Sequence, residues 1–88
     1  MTLKFYAMQK QLDAVKLFHT TYGLGVSTEM KADLGEQKNN LRFELMKEEN
    51  EEYLEAVQNN DIVEIADALG DMLYILCGTI LEHGLQHK

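Results

Sequence analysis

The sequence contains one cysteine, Cys77, and neither proline nor tryptophan among its 88 residues. A single cysteine excludes an intramolecular disulfide, which fits a reducing compartment, and we expect a cytoplasmic protein. Without proline, the residue that most often interrupts helices is missing, so long helices are permitted throughout. Residues 1–6 contain no basic region followed by a long apolar run, and we therefore predict no signal peptide.

Basic residues are also scarce: eight Lys and Arg stand against fifteen Asp and Glu, and the formal net charge is -7. Such a chain cannot neutralise a row of phosphates, so we expect no nucleic-acid partner and no anionic membrane partner. The most apolar stretch, residues 66–81, contains Asp67 and Asp71 and is too short and too charged to span a membrane. A polyanionic substrate is compatible with this charge only if metal ions reverse the local field.

Apolar periodicity indicates an all-α fold of about three helices in a single domain over residues 1–88. The first helix, predicted over residues 4–20, carries apolar side chains at spacings of three and four: Phe5, Met8, Leu12, Val15 and Phe18. Residues 22–37 are rich in turn-prone and helix-weakening residues, and we predict a long loop there.

Two further helices are predicted over residues 36–58 and 62–83, as antiparallel neighbours. A short polar turn, residues 59–61, separates them. Asp61 with Glu64 three residues later fits a capping arrangement at the start of the third helix, and Gly84 is expected to stop that helix.

The acids are concentrated in these two helices: ten of the fifteen lie between Glu44 and Asp71, with Lys47 as the only base among them. At 100° per residue, one face of the second helix carries its apolar residues: Leu41, Leu45 and Ala56. Three acids lie on or beside this face: Glu48 and Glu52 between the apolar residues, and Glu49 at the edge. The remaining acids of this helix form an ordinary solvated side: Glu44, Glu51 and Glu55.

The third helix is apolar around most of its circumference and is therefore expected to be buried. Glu64, Asp67 and Asp71 form one narrow stripe on it. Buried carboxylates cost several kcal/mol each unless paired, and the neighbouring bases are too few to pair with them. A hard divalent cation such as Mg²⁺, Mn²⁺ or Ca²⁺ would resolve this repulsion, whereas the scattered histidines do not favour zinc.

Simpler explanations exist for each residue taken alone. A single glutamate on a helix is usually a solvated surface group, and Glu64 is also explained as a helix cap. Tyr53 and Tyr74, beside the acidic faces, are more often packing residues than groups that stack on a base. The metal hypothesis therefore depends on the joint pattern of two facing acidic stripes.

Residues 45–56 and 65–74 resemble the two sequence motifs of the MazG-like all-α nucleoside triphosphate pyrophosphohydrolases. This superfamily includes MazG, the dimeric dUTPases and phosphoribosyl-ATP pyrophosphohydrolase. Glu49 and Glu52 match the first motif, E-x-x-E, with Glu48 as an additional acid. The second motif, E-x-x-D, would pair residue 68 with Asp71 in its commonest frame, but position 68 is alanine. Glu64 and Asp67 provide the same spacing one helical turn earlier.

The resemblance implies a Mg²⁺-dependent enzyme, with Mn²⁺ as an alternative ion, that cleaves a nucleoside triphosphate to the monophosphate and pyrophosphate. The implied metal ligands are drawn from six acids: Glu48, Glu49, Glu52, Glu64, Asp67 and Asp71. Glu48 or Glu49 would accept the proton of the attacking water. Arg42 is a candidate phosphate contact, and Tyr74 or the first helix a candidate contact for the base.

The resemblance also implies an antiparallel helical bundle that oligomerisation, as a homodimer or homotetramer, completes into a four-helix-type assembly. Members of the superfamily usually continue into a further helix and a basic tail, which we expect this domain to lack. Ala68 and that short C-terminus favour one alternative, a catalytically impaired metal-binding helical dimerisation module. Another, a carboxylate-bridged di-iron bundle, would need Glu-x-x-His pairs that are absent near these acids.

Overall fold

A computed structural model of the chain describes residues 8–87 and contains three α-helices and no strand in that range. α1 spans Gln9–Thr21, α2 spans Glu36–Gln58 and α3 spans Ile62–His83, followed by a short 3-10 helix, Leu85–His87. The predicted all-α class and helix number are confirmed, whereas the 3-10 helix was not predicted. The predicted start of the first helix, including Phe5, lies outside the described residues.

No helix within residues 8–87 is both long enough and apolar enough to cross a membrane. The chain divides into two compact units, and α3 contributes to both. The hairpin unit comprises residues 35–76, and the loop unit comprises residues 1–34 with 77–88. The assignment of residues 1–88 to one domain stays a prediction.

The turn of the hairpin unit is built by asparagines and one aspartate. Asn60 adopts a left-handed conformation at φ 52°, which asparagine tolerates better than most residues. The amides of Asp61 and Asn60 donate to the carbonyls of Ala56 and Val57, an arrangement that satisfies the last carbonyls of α2. Asp61 Oδ1 accepts from the Glu64 amide at 3.1 Å, so Asp61 caps α3 as predicted.

The buried residues of the hairpin unit are Ala56 of α2 with Ala68 and Ile75 of α3. The two alanines are small enough to let the helices approach each other. The expectation that α3 is buried all round is wrong for its first half. Ile62 and Val63 are 75% and 72% exposed, because a two-helix hairpin covers only one side of each helix. This unit therefore presents a large apolar surface.

The loop unit has the more developed core, formed by Leu12 of α1 together with Cys77, Ile80 and Leu81 of α3. Met8, Val15, Val26 and Leu85 pack against it. The apolar stripe predicted for α1 is thus largely confirmed from Met8 to Val15. Phe18, its last member, is instead 44% exposed and lies against the Tyr22 ring, with 4.5 Å between ring centroids.

The connection between α1 and α2 is an ordered loop that closes over the end of α3. The Ser27 and Lys31 amides donate to the carbonyls of Leu81 and His83, at 3.0 and 2.9 Å. The Ser27 hydroxyl donates to the Glu82 carbonyl. These bonds satisfy carbonyls that a helix end otherwise leaves without partners. Gly84, at φ 74°, ends α3 as predicted and passes so close to Glu29 that no side chain fits between them.

Candidate metal and substrate site

Three carboxylates meet on the facing sides of α2 and α3 within the hairpin unit. Glu49 and Glu52 come from α2 and Asp71 from α3, and one oxygen of each lies within 4.8 Å of the others. The spacing of three along α2 places Glu49 and Glu52 on the same side, one turn apart. We refer to these three residues as the acidic triad. All three were predicted as metal ligands, and that role stays a prediction.

Glu49 is the most shielded member: it is half-buried, whereas Glu52 and Asp71 are exposed. The pKa of Glu49 is raised from 4.5 to about 7. Burial is the largest cause, followed by the hydrogen bond and negative charge of Glu52, and then by the charges of Asp71 and Glu48. Bringing these acids together therefore opposes the ionisation of the central one.

The triad has the properties of a site for a hard cation. Its potential ligands are all carboxylate oxygens, which Mg²⁺ and Mn²⁺ prefer over nitrogen or sulfur donors. Glu49 Oε2 is buried and has no hydrogen-bond partner among the described residues. A buried acceptor without a donor is unfavourable, and a cation would satisfy it while relieving the repulsion among the three acids. The residues present therefore fit such an ion.

Two other acids of α3, Glu64 and Asp67, line an adjoining cavity of about 490 Å³ within the same unit. Its polar lining consists of Glu52, Glu55, Asn59, Asp61, Glu64 and Asp67. Glu52 belongs to both the cavity and the triad, so the predicted ligands Glu64 and Asp67 lie beside the triad and not within it. Glu55, which was assigned to the solvated side, also lines this cavity.

The sequence interpretation placed Glu49 at the edge of the apolar face, with Glu48 nearer its centre. The structure reverses this order, since Glu49 is half-buried and Glu48 exposed. The error came from using Leu41 to define the face, because Leu41 is exposed in the structure. Glu48 still influences the site through the pKa of Glu49.

Position 68, where the commonest motif frame has an acid, is buried in the hairpin unit. Ala68 is 3% exposed and lines the acidic cavity together with Ala56. Because this residue is alanine, position 68 supplies no carboxylate to the site. Among residues 8–87, Asp71 is the only residue of α3 that contributes an oxygen to the triad.

Arg42 and Tyr74, the two predicted substrate contacts, also belong to the hairpin unit. Arg42 is half-buried, and its Nε is buried without a hydrogen-bond partner among the described residues. It precedes Glu49 by seven residues, which is nearly two full turns of α2, so both point to the same side. The Tyr74 side chain is 37% exposed and lies three residues after Asp71 on α3.

An apolar groove of about 220 Å³ lies one turn from the triad, lined by Met46, Met72, Leu73 and Leu76. Further apolar side chains of the hairpin unit are exposed, among them Leu54, Val57, Ile62 and Leu69. Large contiguous apolar patches are rare on monomeric proteins and usually mark interaction sites. This side of the unit is therefore suited to contact with another macromolecule.

Comparison with known proteins identifies a family and a curated relative of this chain. A family model described as phosphoribosyl-ATP pyrophosphohydrolase matches residues 15–88. The chain is also similar to L479, an uncharacterised protein of Acanthamoeba polyphaga mimivirus, with 38% identity over 80 residues. That alignment covers 85% of this chain and 32% of the viral protein, so the chain spans about a third of that relative. No solved structure matches the chain.

Proposed function

The chain belongs to the phosphoribosyl-ATP pyrophosphohydrolase family, and from this we propose that it is a Mg²⁺-dependent nucleoside triphosphate pyrophosphohydrolase. The acidic triad is the observation that carries the proposal. Membership in the family indicates a pyrophosphohydrolase-type activity. The choice of a nucleoside or deoxynucleoside triphosphate as substrate, and of Mg²⁺ as cofactor, goes beyond what membership establishes.

Glu49, Glu52 and Asp71 would hold the ion, with Asp67 and Glu64 available from the adjoining cavity. A bound Mg²⁺ would neutralise the phosphate charge that an acidic protein otherwise repels. Mn²⁺ would suit the same oxygen ligands.

The chain's own residues would then direct the hydrolysis. Water attacks the α-phosphorus, and the bond from that phosphorus to the oxygen bridging to the β-phosphorus breaks. Pyrophosphate leaves with that oxygen, and the nucleoside monophosphate retains the oxygen of water. Glu48 or Glu49 takes the proton of the water. A carboxylate placed within hydrogen-bond reach of the attacking water is suited to this role.

Arg42 is proposed to contact the departing phosphates. Its buried Nε–H has no acceptor among the described residues, and a phosphate oxygen would supply one. A guanidinium is suited to this role because it stays charged and offers several donors in a fixed plane. Tyr74 is proposed to contact the base or sugar of the same nucleotide.

The proposal is tested by measuring pyrophosphate release from the common nucleoside and deoxynucleoside triphosphates and from phosphoribosyl-ATP, with Mg²⁺ or Mn²⁺. Asp71→Asn is expected to reduce turnover by about 1000-fold, since it removes the charge that α3 gives to the triad. A saturating metal concentration should raise the melting temperature of the original protein by about 10 °C. The same metal concentration should raise the melting temperature of Asp71→Asn far less. Glu51→Gln, on the exposed side of α2, is the matched control.

Absence of turnover with every substrate would contradict the enzymatic proposal. If the metal still raised the melting temperature through Asp71, the second candidate would be favoured: a catalytically impaired metal-binding dimerisation module. Buried Ala68, in place of an acid, is the observation that keeps this candidate open. An unchanged metal response in Asp71→Asn would show that the ion binds elsewhere.

We also propose that the hairpin unit pairs with a second copy of the chain to complete a four-helix-type bundle, as a homodimer or homotetramer. The apolar surface around Leu69 and Leu73 is suited to helix-on-helix packing. Light scattering is expected to give a mass of at least two chains, and Leu69→Lys is expected to reduce it. A monomer mass for the original protein at micromolar concentration would contradict this assembly.

A further inference from the structure

A cavity of about 460 Å³ lies in the loop unit, where the loop after α1 meets the end of α3. Its volume falls within the range of ordinary small-molecule sites. Five residues line it: Met30, Lys31 and Ala32 from the loop, His83 at the end of α3, and Leu85 of the 3-10 helix. All five belong to the loop unit, so this cavity is separate from the acidic triad.

Two reciprocal hydrogen bonds hold the wall of this cavity. The Lys31 amide donates to the His83 carbonyl at 2.9 Å, and His83 Nδ1 donates to the Lys31 carbonyl, also at 2.9 Å. Because Nδ1 carries this hydrogen, Nε2 is an acceptor in the neutral ring and a donor in the protonated ring. Gly84 adds rigidity, since its backbone packs directly against the Glu29 carbonyl. The cavity is therefore preformed, which lowers the entropic cost of binding a ligand.

The lining of this cavity has the opposite charge to the chain as a whole. Acids outnumber Lys and Arg by fifteen to eight, yet no acid among residues 8–87 lines the cavity, whereas a lysine and a histidine do. Glu29 and Asp33 lie two residues from Lys31, but the Lys31 ammonium forms no ion pair with any of residues 8–87. An ammonium beside an apolar wall attracts an anion more strongly than one surrounded by water, because the wall reduces screening.

We propose that this cavity binds a small organic anion with an apolar body, in which a carboxylate or phosphate is carried on a short carbon chain. Lys31 contacts the anionic group, and His83 Nε2 donates to the same group when the ring is protonated. The carbon chain lies against Met30, Ala32 and Leu85, where it is removed from water. The flexible Met30 side chain, 55% exposed, can adapt to the shape of this chain.

The binding test titrates the full chain with hexanoate and with hexyl phosphate, followed by NMR of the Lys31 and Ala32 amides and the His83 ring. The tighter of the two anions is expected to bind with a Kd of about 1 mM or below, as is reasonable for a ligand of roughly ten heavy atoms. Hexanol keeps the apolar body without the charge, and acetate keeps the charge without the body. Each is expected to bind about tenfold more weakly. The tighter anion identifies the charged group that the cavity prefers.

Lys31→Met removes the charge but keeps a long apolar side chain and both backbone hydrogen bonds. It is expected to weaken binding of the tighter anion about tenfold and to abolish the preference for that anion over hexanol. Lys10→Met, at an exposed position of α1, is the matched control and should change neither value. Binding of hexanol as tight as that of both anions would overturn the proposal. An equal loss in Lys10→Met would also overturn it, because general charge attraction would then explain the binding, and so would the absence of any signal change with either anion.

Discussion

Replacing Glu49 with glutamine is expected to abolish pyrophosphate release and also to make the metal-free protein more stable at pH 8. Turnover should fall by about 1000-fold, because the variant loses a metal ligand and a candidate general base together. Stability should rise because glutamine removes the charge that Glu52, Asp71 and Glu48 repel. The increase in melting temperature without metal is expected to be about 5 °C. Activity assays and thermal unfolding in the presence of a chelator measure the two effects.

The pH dependence of this stability has a definite sign. The pKa of Glu49 is raised from 4.5 to about 7 by folding, so between these values the folded protein binds more protons than the unfolded chain. Without metal, stability should therefore fall as the pH rises from about 4.5 to about 7, and Glu49→Gln should lose this part of the fall. Glu44→Gln, on the exposed side of α2, is the control and should retain it. If Glu49→Gln had the same pH profile as the original protein, the neighbouring carboxylates would not raise the pKa of Glu49 as described.

Replacing Gly84 with alanine is expected to destabilise the loop unit severely. A Cβ at this position would clash with the carbonyl oxygen of Glu29, and the φ of 74° already disfavours any residue with a side chain. The obstacle is backbone, which cannot rotate away as a side-chain end would. Together these effects should lower the free energy of unfolding by about 3 kcal/mol, and the melting temperature by about 15 °C. Thermal or urea unfolding provides the measurement.

Gly23 offers a matched control within the same unit. Its φ is 71°, close to that of Gly84, but a Cβ there meets nothing within 4 Å. Gly23→Ala should therefore show only the conformational effect, about 1 kcal/mol. The difference between the two alanine variants measures the contact between Gly84 and the loop. Equal losses of stability in both would mean that the loop moves aside at little cost.

The helices were predictable because strong local signals define them. Asp61 at the start of α3 and Gly84 at its end carry cap chemistry that depends on a few neighbouring residues. The exposure of Ile62 and Val63 was not predictable in the same way. Apolar periodicity indicates that a helix face is suited to burial, but it does not identify the molecule that covers this face.

The members of the site were easier to predict than their arrangement. Charge and spacing selected Glu49, Glu52 and Asp71 among a larger set of acids, but helical angles measured from a face that included Leu41 did not single out Glu49 as the most buried of the glutamates. Side-chain direction depends on how the two helices rotate about their axes, and in this rotation Ala56 and Ala68 are buried. Alanines leave little periodic signal in a sequence. The close approach of the loop to Gly84 likewise joins residues more than fifty positions apart, which no local pattern encodes.

The turn at Asn60 keeps the whole acidic triad within one short stretch of chain. The triad lies within a segment of 23 residues, 49–71, so little loop-closure entropy is lost when its members meet. Contacts of such low sequence separation form early and rapidly during folding. The arrangement of the three oxygens is thus encoded by a segment small enough to be transplanted between sequences, and designers could test whether a grafted hairpin still gathers them.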